Sequence, residues 1–260
     1  MSDEQGTTSK VEELLTSAGS RRHFLTGAAA AAASFGLAPA AVSAAALGNR
    51  SLKGMGETTQ EILNIAVTAE AAAVTALYHV HMAVNQGRLN VGGIAVPVPT
   101  LVKIVRAILR QEQDHYAFLY GAGARPLVTS FTLPAGVLAS ARNALTFLEQ
   151  ADTIFVGAYM AANREFANAG HGKLAQYTYQ IGGTEAEHRV LARAALGKLP
   201  PNNLGFERNL FAHVKGAANV LGELGILKPG VPYPGAGAVD RILATSMDRD
   251  RTAGVIQNTP

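Results

Sequence analysis

Residues Val105 to Tyr116 read Val-Arg-Ala-Ile-Leu-Arg-Gln-Glu-Gln-Asp-His-Tyr. Val105, Ile108, Leu109, Tyr116 and Leu119 recur at three- and four-residue spacing, which marks one face of a helix. Glu112 falls on that face, and His115 follows one turn later. A carboxylate on an apolar face is costly unless it is paired or bound to a metal. A Glu and a His three apart share a helical face and can reach one ion.

The same anomaly recurs along the chain. Glu70 sits among Leu63, Val67, Val74 and Leu77. Glu149 follows Leu148, with Leu145 one turn before and Val156 two turns after. Glu185 lies one turn after Ile181 and is followed at i+3 by His188. The chain thus reads Glu70, then Glu112-x-x-His115, and again Glu149, then Glu185-x-x-His188. The two gaps are 42 and 36 residues. One such Glu-x-x-His pair is weak evidence, since chance supplies about 0.3 of them here. Two on separate helices, each preceded by a mid-helix Glu, describe an internal repeat of two helical hairpins. The expected metal ligands are Glu70, Glu112, His115, Glu149, Glu185 and His188. In this reading Glu70 and Glu149 bridge two ions and each Glu-x-x-His pair supplies terminal ligands. Four negative charges match two divalent ions, and oxygen with imidazole suits iron or manganese, with zinc also compatible.

Helices are expected over about 59–85, 100–120, 134–168, 173–196 and 205–224, with a short one near 238–246 and no convincing strand. The fold class is therefore all-α: a four-helix bundle with a short fifth helix. The short loop 169–172 makes the third and fourth helices antiparallel neighbours. Connector 121–134 reaches about 46 Å when extended, while a 20-residue helix is about 30 Å long. A long crossover along the bundle is thus allowed. Residues 58–228 form the expected bundle and 229–260 an irregular tail rich in proline and glycine.

The 260 residues are 48% hydrophobic and 16% charged, with no cysteine. The apolar content excludes intrinsic disorder. The missing cysteine excludes disulfides, thiolate metal sites and a cysteine nucleophile. A net charge of +3 without a basic block argues against a nucleic-acid partner. Ser20-Arg21-Arg22-His23-Phe24-Leu25 reads as a twin-arginine export motif, followed by an Ala-rich apolar run to Leu47. Residues 1–44 are the expected signal peptide, cleaved near Val42-Ser43-Ala44, and 45–57 a linker. The protein is then periplasmic or extracellular, and the twin-arginine translocase is a partner during export. Removal of 1–44 takes three of the 22 basic and four of the 19 acidic residues, leaving a net +4.

The segments Leu63 to Glu70, Glu112 to His115, Leu148 to Tyr159 and Glu185 to His188 resemble the ferritin-like superfamily. The subgroup with the strongest resemblance is the exported ferritin-like domain proteins, which include desiccation- and stress-related members. The resemblance covers about residues 57–225. It implies a ferritin-like four-helix bundle with a di-iron or di-manganese centre at the six residues named above. It also implies an oxidoreductase of the catalase or ferroxidase type, with dioxygen, peroxide or iron as reactant and a role in stress protection. A non-catalytic protective bundle with a structural or vestigial metal site is the alternative. No catalytic residue is assigned, and a homo-oligomer is compatible with the reading. The sequence departs from the family pattern beside Glu70, where Ala69, Ala71, Ala72 and Ala73 stand in place of a bulky aromatic.

Other polar residues have plainer readings. Asp152 is the rival ligand on the third helix, one turn after Glu149. His79, His81, His171 and His213 read as surface or packing histidines. Asp114 and Glu187 point about 100° off the ligand face and read as solvated or as partners of the histidines. Core packing is the default for Tyr116 and Tyr159, though both are near enough to bond a ligand. Gly182-Gly183 either permits close helix contact or opens a path for substrate.

Overall fold

A computed structural model describes residues 56–244. The export signal, its cleavage site, residues 45–55 and the end of the tail lie outside the described residues. The chain is all-α, with α1 (Thr59–Asn85), α2 (Val98–Gly121), α3 (Ala141–Asn168), α4 (Gly172–Ala195), α5 (Val214–Glu223) and α6 (Ala236–Ala244). Two two-residue strands, β1 (Ser130–Phe131) and β2 (Val231–Pro232), pair antiparallel. They join the α2–α3 connector to the tail, which sequence reading left without strands. Gly230 permits that pairing, because a Cβ there would lie 2.3 Å from the Phe131 carbonyl oxygen.

Three of the four long helices start where the sequence supplies a start. Thr58 caps α1 in a capping box with Glu61. Pro97 and a proline in the first turn open α2. Ser140 accepts from the Asn143 amide and opens α3. The third helix therefore begins about seven residues later than its apolar pattern suggested. Residues 134–140 make turns in place of helix. The fifth helix is likewise shorter than expected, starting at Val214.

The four long helices pack chiefly as two pairs, α1 with α2 and α3 with α4. Their order follows from two apolar clusters. One gathers the first half of α1, the end of α2, the second half of α3 and the start of α4. The other gathers the end of α1, the start of α2, the start of α3 and the end of α4. Helices α2 and α3 therefore run in the same direction, and connector 122–140 crosses the full length of the molecule. The crossover that chain length merely allowed is present.

Each long helix turns a stripe of positions spaced alternately three and four residues toward this interior. On α1 the stripe is Leu63, Val67, Glu70, Val74, Leu77 and His81, all buried. On α4 it is Thr178, Ile181, Glu185, His188, Ala192 and Ala195, again all buried. Polar residues break both stripes at mid-helix. They meet in one layer between the two apolar clusters.

Candidate metal centre

The polar layer is built from one or two residues of each long helix. Glu70, Glu112 and Glu185 are fully buried, and Asp152 and His188 are 1% exposed. His115 is the most open, with 12% of its side chain accessible. The two histidine rings lie 6.3 Å apart between centroids. The α3 residue in this layer is Asp152 and not Glu149.

That replacement corrects the expected ligand set, and helix geometry explains it. The buried stripe of α3 runs Ala141, Leu145, Leu148, Asp152, Phe155, Tyr159 and Ala162. Its steps alternate four and three, and Asp152 falls on it. Glu149 is off the stripe and faces α4 and the chain after it. Its carboxylate meets Arg193 Nη1 and Lys198 Nζ, each at 2.7 Å. It is therefore neutralised by two cations before reaching any ion. The other five expected residues, Glu70, Glu112, His115, Glu185 and His188, are brought together.

The carboxylates divide into two kinds. Glu112 presents Oε1 to His188 Nδ1 at 3.1 Å and Oε2 to His115 Nδ1 at 3.9 Å. Glu185 presents Oε1 to His115 Nδ1 at 3.2 Å and Oε2 to His188 Nδ1 at 3.3 Å. Each thus straddles both histidines. Glu70 reaches only His115, at 3.4 Å. The result is two overlapping groups: Glu70, Glu112, His115 and Glu185, and Glu112, Asp152, Glu185 and His188. Within each group one ligand atom per residue lies within 4.8 Å of the others, so each could hold a metal ion. The shared residues are the two Glu-x-x-His glutamates. Sequence reading had given the sharing to Glu70 and Glu149.

The donor atoms are available. Both Asp152 oxygens are buried without a hydrogen-bond partner, and Glu70 Oε2, both Glu112 oxygens, Glu185 Oε1 and His115 Nδ1 have only the glutamate–histidine contacts of 3.1–3.9 Å. A buried polar atom left unsatisfied costs about 1–3 kcal/mol. Divalent cations are the chemistry that would satisfy them together.

Outer contacts hold this set in place. His188 Nε2 lies 2.9 Å from Gln111 Oε1 and can donate to it, which turns Nδ1 toward the carboxylates. The Tyr159 hydroxyl donates to Glu70 Oε1 and leaves Oε2 facing the centre. Tyr159 therefore does more than pack. Gly182 makes room for it, since a Cβ there would sit 3.0 Å from Tyr159 Cβ. Of the Gly182-Gly183 pair in α4, Gly182 thus serves close helix contact, while Gly183 has nothing within 4 Å. Tyr159→Phe is expected to keep the fold and cost about 1–3 kcal/mol, because buried Glu70 Oε1 loses its hydroxyl donor. Denaturant unfolding of the two proteins checks this.

The other histidines stay outside the centre. His81 is buried, not solvent-facing, and its Nε2 lies 2.7 Å from Asn85 Nδ2. His213 pairs with Glu165 at 2.8 Å, where Glu57 also accepts from the amides that start α5. These three join the N-terminal segment to the ends of α3 and α5.

Burial and mutual contact shift the titration of the groups in this centre. Burial, with the neighbouring Glu185 and Glu70 charges, pushes the Glu112 carboxyl well up. Burial and Glu185 do the same to Asp152. Burial opposes charge on the histidines. Even so, hydrogen bonds to Glu185 and Glu70 push His115 well up, and those to Glu112 and Glu185 push His188 to about 11. Burial also opposes charge on Glu185, but His115 and His188 hold it down at about 2. Of these groups, all but Glu185 are thus shifted toward holding a proton, which a metal must displace. Metal uptake is expected to release protons and to tighten as pH rises. Calorimetric titration in buffers of different ionisation enthalpy measures the release, and a value near zero would contradict it.

Comparison with known proteins gives no match: no family model fits the chain, and no curated protein or solved structure is similar to it.

Proposed function

We propose that this chain is an exported ferritin-like protein whose two-ion carboxylate centre performs redox chemistry on dioxygen, peroxide or iron in stress protection. The observation that carries the reading is the pair of carboxylates, Glu112 and Glu185, each straddling both histidines. Two buried carboxylates, each placed between the two histidines, suit two ions better than one. The crossover between α2 and α3 and the repeated Glu-x-x-His pairs support the family reading. Arg21-Arg22 and the apolar run after them support export.

Glu70 and His115 would hold one ion and Asp152 and His188 the other, with Glu112 and Glu185 common to both. Iron or manganese would supply one-electron redox chemistry there. The protein's own share is to fix Glu70 through Tyr159 and His188 through Gln111, and to exclude bulk water.

Protein reconstituted with iron(II) or manganese(II) should bind two ions per chain and should consume dioxygen or release it from peroxide. Two bound ions without turnover would favour the protective, non-catalytic reading. No bound metal would overturn the redox reading and leave the protective bundle with a vestigial site.

A further inference from the structure

The metal centre has an apolar neighbour that its ligands do not explain. A cavity of about 50 Å³ lies between α1, α3 and the crossover connector, with Leu101 and Val105 of α2 and Leu221 of α5 also lining it. Asp152 is the single charged residue in its lining, and the rest is aliphatic or aromatic apart from Thr132 and Pro134. The space exists because alanines line it on both helices. Ala72, Ala73 and Ala76 of α1 face Ala141, Ala144 and Ala151 of α3. The first two belong to the alanine run beside Glu70, where the sequence carries no bulky side chain. Half-buried Leu133 and Pro134 of the connector close the outer side.

Such a space selects its occupant. An apolar void stays dry and takes up apolar molecules, as engineered cavities of about 150 Å³ take up benzene or xenon. A cation or a peroxide would give up its hydration here and gain no partner along the aliphatic wall. The volume admits only a few heavy atoms. The wall ends on Asp152, whose carboxylate belongs to the His188 side of the centre.

We propose that this cavity is a binding chamber for a small apolar gas, which it holds against the Asp152 side of the metal centre. Within the function proposed above, that gas is dioxygen. The chamber itself is a property of the metal-free protein, so it can be tested apart from the metal reading.

Xenon is the probe. Crystals of the full mature protein held under xenon pressure should show an anomalous peak beside Asp152, with or without metal. Ala144→Leu should fill the space, lose the peak and still take up two ions. Ala76→Val adds less volume and reads the same effect if the larger side chain disturbs folding. A peak in protein that binds no metal would support the chamber while the metal reading fails. An empty cavity in the parent protein, ordered water inside it, or a peak that survives both substitutions would overturn the chamber and leave the metal centre standing.

Discussion

Replacing Asp152 with alanine is expected to halve the metal content, while replacing Glu149 with alanine leaves it unchanged. Asp152 serves only the group that contains His188, so the group around Glu70 and His115 keeps all four of its ligands. Losing one of four ligands weakens the second ion by about 10- to 100-fold or more, by analogy with the loss of supporting groups at metal sites. Glu149 makes two partly exposed ion pairs, with Arg193 and Lys198. Its loss is expected to cost about 0.5–1 kcal/mol of stability and no metal. Elemental analysis of the two variants after identical reconstitution separates them. Glu112→Ala or Glu185→Ala should behave differently from both and lose both ions together, because each carboxylate is shared.

The second large effect is an inversion of pH dependence by metal. Without cations, the folded protein binds more protons than the unfolded chain. Unfolded carboxylates release theirs near pH 4, whereas folded Glu112 and Asp152 keep theirs well above that. The stabilisation from His188 is complete below its unfolded value near 6.5 and is lost as pH rises toward about 11. Glu185 works the other way, but its contribution is lost only as pH falls from about 4 toward about 2. Between pH 5 and 8 the metal-free protein should therefore lose stability as pH rises. The loaded protein should gain it, because the ligands are freed of protons. At 100 times the dissociation constant one ion adds about 2.7 kcal/mol. For a chain of this size that is roughly 5–10 °C in melting temperature. Thermal melts at pH 5 and pH 8, with and without metal, measure both slopes. Parallel slopes would contradict the account.

Much of this centre was legible before any coordinates. Glu70, Glu112, His115, Glu185 and His188 announce themselves as polar groups on apolar faces; all but the half-buried His115 are buried. On α3 the sequence offers two acids one turn apart, Glu149 and its rival Asp152, and the repeat of Glu before Glu-x-x-His favours Glu149. The alternating four-and-three stripe from Ala141 to Ala162 chooses Asp152 instead. Which carboxylates are shared was not legible. It depends on how the two Glu-x-x-His helices face each other across the interior, and spacing along one helix says nothing of that. The Tyr159 bond to Glu70 was hidden for the same reason, since the partners are 89 residues apart. The start of α3 was misplaced because residues 134–140 are as apolar as a helix turn. There the Ser140 cap, not hydrophobicity, sets the boundary. The crossover was permitted by length and was decided only by which helix halves share a cluster.

The most direct test is an anomalous-scattering map, at the iron or manganese edge, of protein reconstituted with that metal. The account predicts two peaks in the buried layer, one beside Glu70 and His115 and one beside Asp152 and His188, with Glu112 and Glu185 touching both. A single peak, a peak beside Glu149, or none at all would contradict it.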